Sequence, residues 1–322
     1  MPYSFLVFRG NNSALVEEAL SRRSWWTNLV VVPKHLDAAS KRGSMKKIVH
    51  SRKDEICKEL FEQQSFHFCW RPTQQYKYTS NPRTGCVELV TVHSMTPAGT
   101  LGWSETDPAA RQLVNHFANI DGLTTKTGLL RSLKEYYAKH AMECFDATPT
   151  TFICTSDTSE REWLEFCESF KDISKKKYKR AAMPWKHCKE NMWIIKPANA
   201  NQGKGIEVFK ELSRIKGFMR GKPKGEEWIF QKYLERPLLL WGRKFDFRIW
   251  VLVTENFEIY IYREGYIRTS SEAYTTDLRA GKTQSMVHLT NFCMQKLGVN
   301  VGKYEDGNTL SFDDFQCYLN KY

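Results

Sequence analysis

Residues 191–209 read NMWIIKPANANQGKGIEVF. A short apolar strand, Trp193 to Ile195, ends in Lys196 and Pro197. A small polar loop follows, and a second β-rich run covers Gly205 to Phe209. The loop places Gln202, Gly203, Lys204 and Gly205 beside the strand-end lysine. Glycine accepts the left-handed backbone of a tight loop, and successive N–H groups in such a loop can close over phosphate oxygens. The stretch therefore predicts a nucleotide site, or else an ordinary hairpin with a glycine-rich turn. It is not a P-loop. The only Gly-Lys-Thr, Gly281 to Thr283, has Thr276 where that motif requires its first glycine.

The segment GRKFDFRIWVLV (242–253) narrows the choice. On a strand Lys244, Asp246 and Arg248 alternate with Phe245 and Phe247, so the three charges share one face. Such a face is costly unless its charges are paired or ligand-bound. A ladder of Asp246 with the two basic residues and a ligand site are both compatible with it. Phe247 to Val253 is expected to continue as one alternating strand, and Ile259–Tyr262 and Tyr266–Arg268 to flank a Glu264-Gly265 turn.

Four further stretches fall around these in order: QKYLERPLL (231–239), YIYREGYIRTSSEAY (260–274), VHLTNFCMQK (287–296) and, upstream, LVNHFANIDGLTTKTGLLRSLKEYY (113–137). Together with the opening MPYSFLVF, they resemble the tubulin–tyrosine ligase family, densely from about Asn191 to Tyr318 and more thinly before. The resemblance implies an α/β, ATP-grasp fold. It would comprise an N-terminal α/β subdomain (1–125), a central subdomain with the phosphate loop (126–232) and a C-terminal subdomain (233–322). It implies a ligase that uses ATP and Mg²⁺ to join tyrosine, glutamate or glycine to the acidic C-terminal tail of tubulin. The carboxylate would be activated as an acyl phosphate before the amine attacks.

Residue by residue, the resemblance gives Lys196 and Lys126 to the phosphates, although Lys126 also reads as a solvated lysine at a helix entry. Gln202, Gly203, Lys204 and Gly205 form the lid loop, and Gln231, Lys232, Tyr233 and Leu234 the hinge against adenine. Lys244, Asp246, Thr290 and Asn291 join the nucleotide site. Arg248 is expected to be catalytic, and Arg268 to be catalytic by binding the carboxylate of the incoming amino acid. A guanidinium suits that task because its fork meets both carboxylate oxygens at once. His288 reads as a structural hydrogen-bonding group or as a base. YREGYIRTSSEAY looks closer to the tyrosine-adding branch.

The 322 residues carry a formal net charge of +12 with 41% hydrophobic content and ten tryptophans, which excludes a disordered chain. A basic balance favours an acidic partner, and charge alone does not separate nucleic acid from an acidic protein surface. No nucleic-acid-binding signature stands out, and no segment approaches membrane-spanning length. Nine cysteines without a C-x-x-C pair predict free thiols in a reducing compartment, the cytoplasm or an axoneme open to it, on the microtubule cytoskeleton.

Asn12 or Ser13 is expected to cap a first helix carrying Leu15, Ala19 and Leu20. Val30 to Val32 suggests another α/β unit. Basic runs at Lys41–Lys53 and KKKYKR (175–180) read as solvated segments, the second also as a seat for an acidic partner. Asn81-Pro82 and Thr106-Asp107-Pro108 are turn signals. Ser159 with Glu162 predicts a capping box before a helix that buries Trp163, Phe166, Cys167 and Phe170. Ser311 with Asp314 predicts another, before a helix facing inward through Phe312, Phe315 and Leu319.

The family completes its metal site with a late Asp and a Glu-x-Asn pair. This sequence has no Glu-x-Asn, so the metal ligands are unknown and expected beyond Tyr322, with the last strands of the fold absent. Two other functions stand beside the ligase. One is an inactive, basic tubulin-binding protein; the other is an ATP-grasp ligase acting on a non-tubulin peptide.

Overall fold

The computed structural model describes residues 120–175, 190–254, 256–278 and 284–321, with residues 3–8, 13–30 and short pieces between 56 and 114. Asn12, Val31–Val32, the 41–53 run, both proline turns, 176–180 and 281–283 lie outside the described residues. The chain divides into two units, Met1–Ile120 and Asp121–Tyr322.

In the first unit β1 (Tyr3–Val7), α1 (Ser13–Ser21) and β2 (Trp26–Asn28) form a strand–helix–strand unit with parallel pairing. A helix is what a parallel crossover needs. β3 (Phe68–Trp70) pairs parallel with β1 on its other side. After the separate antiparallel pair β4 (Tyr76–Ser80) and β5 (Val87–Thr91) comes β6 (Leu113–Val114), which pairs parallel with β3. Leu6, Val30, Cys57 and Cys69 form this unit's core. No residue of α1 is fully buried, and Leu15 is exposed.

The second unit begins with α2 (Asp121–Thr124), α3 (Lys126–Lys139) and α4 (Cys144–Ala147). Thr125 caps α3, its hydroxyl accepting from the Gly128 N–H at 3.1 Å. β7 (Thr151–Cys154), α5 (Arg161–Ser174), β8 (Trp193–Pro197), β9 (Glu207–Phe209), α6 (Leu212–Arg220) and β10 (Trp228–Lys232) follow. The strands make one antiparallel sheet in the order β7-β10-β8-β9.

The predicted aromatic stripe of α5 is the core. Trp163, Phe166, Cys167 and Phe170 meet Ile215 and Met219 of α6 and the sheet's Phe152, Trp193, Ile195 and Phe230. Each such side chain contributes about 1.5–3 kcal/mol by leaving water. The Ser159–Glu162 capping box does not form. Glu162 instead accepts from the Ile153 N–H of edge strand β7 at 2.6 Å and pairs with Lys134 at 2.9 Å, while the Ser159 hydroxyl donates to Asp157. A carboxylate that can satisfy a sheet edge and an ammonium has more to gain there than at its own helix end.

β-strand alternation gives this sheet two different faces. Trp193, Ile195 and Phe230 point into the helix-covered core. Ile194, with Val208, belongs to a second cluster containing Met192, Tyr233 and Leu289. Lys196 and Gln231 lie on that second face by the two-residue period.

The rest of the unit is β11 (Arg243–Arg248), β12 (Val251–Val253), β13 (Ile259–Ile261), β14 (Tyr266–Ala273), α7 (Gln284–His288), α8 (Phe292–Gln295), β15 (Thr309–Ser311) and α9 (Phe312–Leu319). β11, β14 and β15 form an antiparallel sheet in that order. The continuous strand expected from Phe247 to Val253 is broken, because Ile249 and Trp250 separate β11 from a two-stranded ribbon of β12 and β13. β13 and β14 flank Glu264-Gly265 as expected, but they do not pair with each other: β13 pairs with β12, where Thr254 N–H donates to Glu258 O at 3.0 Å, and β14 pairs with β11. Gly265 sits against the Arg248 carbonyl and the Phe312 ring, where a Cβ would find backbone oxygen at 2.5 Å.

The Ser311–Asp314 capping box forms as predicted, and Phe315 is buried. Leu319 is 42% exposed, and its inward place is taken by Tyr318, stacked on Phe315 and edge-on to Trp241. The mixed α/β organisation expected from the sequence is the one observed.

Candidate functional site

Three lysines converge on the second face of the β7-β10-β8-β9 sheet. Lys196, near the end of β8, donates to Gln231 Oε1 at 2.7 Å, and Gln231 in turn donates to Thr151 at 3.0 Å. Burial, then the neighbouring Lys126 charge, pulls the Lys196 amine down to about 8. Lys244, on the charged face of β11, is also pulled down to about 8, by burial first and then by Lys196. Asp246 pushes it the other way. Two cations each lowered by burial and by a neighbouring lysine are held at a cost, which an anion beside them relieves.

Lys126 opens α3, and its ammonium donates to the carbonyls of Pro197 at 3.0 Å, Ala198 at 3.2 Å and Ala200. Burial lowers its pKa as well. Its three donors thus brace the turn that follows β8, so it is neither a merely solvated lysine nor open to a ligand in this conformation.

The loop behind that turn is left-handed at Gln202 (φ 59°), Gly203 (φ 82°) and Gly205 (φ 69°). Gly203 packs against α8, where a Cβ would approach Met294 Cγ to 2.6 Å and Asn291 Oδ1 to 3.4 Å. The fold therefore brings the lid loop and the Thr290-Asn291 pair together. Two loop N–H groups are committed internally, Lys204 to Asn201 O at 3.1 Å and Ile206 to Gly203 O at 3.4 Å. Thr290 is buried, and Asn291 precedes α8 as its N-cap residue without a side-chain cap bond.

The hinge segment follows β10. The Lys232 N–H donates to Thr150 O at 2.8 Å, and the Tyr233 N–H to Met192 O at 3.0 Å. The Lys232 side chain does not face a ligand. It is buried, donating to the carbonyls of Glu190, Met192 and Tyr233 and pairing with buried Glu235. Leu234 is 38% exposed beside it.

Asp246 does not form a ladder with Lys244 and Arg248. It lies directly across from Arg268 on β14, and the guanidinium grips it through Nε at 3.1 Å to both oxygens and Nη2 at 2.5 Å to Oδ2. In this state the Asp246 carboxylate occupies the guanidinium fork that the family resemblance assigns to an incoming carboxylate. Arg248 ends β11 and is exposed. His288 is buried, shares a 2.9 Å hydrogen bond with Tyr233 Oη and is pulled down to about 4 by burial, then by the charges of Lys244 and Lys210. That makes it a neutral structural group at physiological pH.

Three supporting residues are not singled out by the sequence. Glu235 accepts both from Lys232 and from the Met192 N–H, and its i, i+3 spacing from that lysine is the only local hint. Gln295 is fully buried and ties Ser271 to the carbonyls of Met286 and Leu289, fixing the Thr290-Asn291 loop. Glu305 pairs with buried Arg243 and accepts from Thr269 at 2.8 Å. Among the described residues no three His, Cys, Asp or Glu side chains gather as a metal site. No helix among them is long and apolar enough to cross a membrane.

A family model described as the tubulin-tyrosine ligase family matches residues 104–321, more than half of the chain. Among curated proteins, the chain is 30% identical over 193 residues to Tubulin polyglutamylase TTLL7 of Mus musculus, covering 59% of this chain and 18% of that one. It is 30% identical over 235 residues to Probable alpha-tubulin polyglutamylase Ttll1 of Tetrahymena thermophila, covering 65% and 51%. To Tubulin glycylase 3A of Drosophila melanogaster it is 39% identical over 132 residues, covering 40% and 13%. The matched region thus spans about half or less of each of these relatives. With the family model matching more than half of the chain, the chain belongs to the tubulin-tyrosine ligase family.

Proposed function

We propose that this chain carries the nucleotide-binding part of an ATP-dependent ligase that adds an amino acid to a tubulin C-terminal tail. The observation that supports it most is the convergence of Lys126, Lys196 and Lys244, with Lys196 hydrogen-bonded to an amide rather than paired with a carboxylate. ATP supplies the phosphoryl group that turns a carboxylate into an electrophile. Lys196 and Lys244 would neutralise its phosphates, and the Gln202–Gly205 loop, which rests on Asn291 and Met294, would cover them. Lys126 joins them by exchanging loop carbonyls for phosphate oxygens.

The Gln231–Leu234 segment would bound the adenine. Arg268 would take the carboxylate of the incoming amino acid, releasing Asp246 toward the nucleotide side. Arg248, exposed at the mouth, would meet the acidic acceptor, in keeping with the +12 balance of the chain. Glutamate or glycine is proposed ahead of tyrosine because the relatives above are named polyglutamylases and a glycylase. The microtubule cytoskeleton is then the place of action. Calorimetric titration of ATP tests this reading: saturable binding that is lost in Lys196→Met and measurably weakened in Lys244→Met supports it, and a wild-type chain that does not bind ATP overturns it.

A further inference from the structure

Lys244 carries a flexible four-carbon stem, and a lysine aimed at a phosphate loses much of its rotamer freedom on binding unless the protein has fixed it beforehand. The structure fixes it. Its ammonium donates to Tyr233 Oη at 3.0 Å and to the His288 carbonyl at 3.0 Å, which uses two of its three N–H groups. The same ammonium lies 4.7 Å from the centre of the Tyr233 ring. The phenol is itself immobile. It is 3% exposed in the cluster with Met192, Ile194, Val208 and Leu289. It also shares a hydrogen bond of 2.9 Å with His288 Nδ1 and stands edge-on to that ring, with centroids 5.2 Å apart. His288 meets Tyr274 edge-on at 5.9 Å, and the Tyr274 hydroxyl donates to the Glu235 carbonyl at 2.9 Å.

We infer that Tyr233 and His288 are positioning residues that seat the Lys244 ammonium for the phosphates of a bound nucleotide, so that one residue of the hinge also organises the phosphate end of the site. The inference rests on the nucleotide reading above. Because the Tyr233 N–H is committed to Met192, the side chain is where this residue acts on the ligand. Whichever way the proton between Tyr233 and His288 lies, Lys244 remains the donor to the phenol, so the seat does not depend on the histidine tautomer.

The test compares ATP with adenosine, which lacks phosphates, by calorimetry on the whole chain. Tyr233→Phe is expected to weaken ATP about tenfold, equivalent to about 1.4 kcal/mol, and to weaken adenosine, which the same segment bounds, far less. In a Lys244→Met background the same substitution should cost nothing further, because the group it positions is gone. His288→Ala should weaken ATP in the same direction. His288→Asn, whose side-chain amide stands where Nδ1 stood, should restore it. This second pair carries the test if Tyr233→Phe does not unfold cooperatively. Equal losses for ATP and adenosine, an undiminished loss in the Lys244→Met background, or unaltered ATP affinity in Tyr233→Phe and His288→Ala would each overturn the inference while leaving the nucleotide reading in place. Failure of the wild-type chain to bind ATP would overturn both.

Discussion

Replacing Lys196 by methionine should make the protein more stable and unable to hold ATP. The ammonium sits on the sheet face opposite the aromatic core, with Gln231 as its hydrogen-bond partner and two other lysines near it. Its pKa falls from the ordinary 10.5 to about 8, chiefly by burial. At about 1.4 kcal/mol per pH unit, that drop corresponds to about 3 kcal/mol against folding at neutral pH. Methionine keeps the length and removes the charge, but it also forfeits the bond to Gln231, worth about 1 kcal/mol. A net gain of about 2 kcal/mol remains.

The sign in pH follows from the lowered value. Between about pH 8 and 10.5 the unfolded chain keeps a proton that folded Lys196 has released, so wild-type stability rises with pH over that window and is lost as pH falls through 8. Lys244 contributes a similar rise, so the variant should retain a shallower slope. Urea denaturation at several pH values measures this: a higher midpoint at pH 7 with unchanged m supports it. A destabilised variant, or an unaltered slope between pH 8 and 10.5, would refute the reasoning.

Further expectations follow from neighbouring groups. Glu235→Ala removes the partner of buried Lys232 and the acceptor of the Met192 N–H, and should cost about 3–5 kcal/mol in urea unfolding. Gly203→Ala forces φ of 82° on a residue with a Cβ and drives it toward Met294; it should lower stability by about 1–2 kcal/mol and weaken ATP binding measured by calorimetry. Arg268→Ala should raise the amino-acid KM or stop turnover while ATP affinity is kept. Steady-state kinetics alongside calorimetry would show weakened nucleotide binding instead if Arg268 acted on ATP.

Elements whose cause is local were legible in the sequence. The Lys196 strand, the aromatic face of α5 and the Ser311–Asp314 cap depend on spacings of two to four residues, and each folds as those spacings dictate. The failures came where a distant partner outcompeted a local one. Glu162 left its helix end for the Ile153 N–H, and Leu319 yielded its place to Tyr318 once Trp241 and Phe315 were there to receive an aromatic ring. The alternation through 242–253 predicts a single strand, but the chain changes partner within it, pairing with β14 as far as Arg248 and with β13 from Val251, and a one-strand pattern does not contain that change. In the site, strand alternation showed that Lys244 and Asp246 share a face. Their actual partners, Tyr233 and Arg268, lie 11 and 22 residues away along the chain and were set by the fold.

The most direct test of the ligase account is mass spectrometry of tubulin C-terminal tails after incubation with this chain, ATP and each of glutamate, glycine and tyrosine. The account predicts tails heavier by whole amino-acid residues, dependent on ATP and absent with Lys196→Met. Tails left unmodified with all three amino acids, by a preparation that binds ATP, would contradict it.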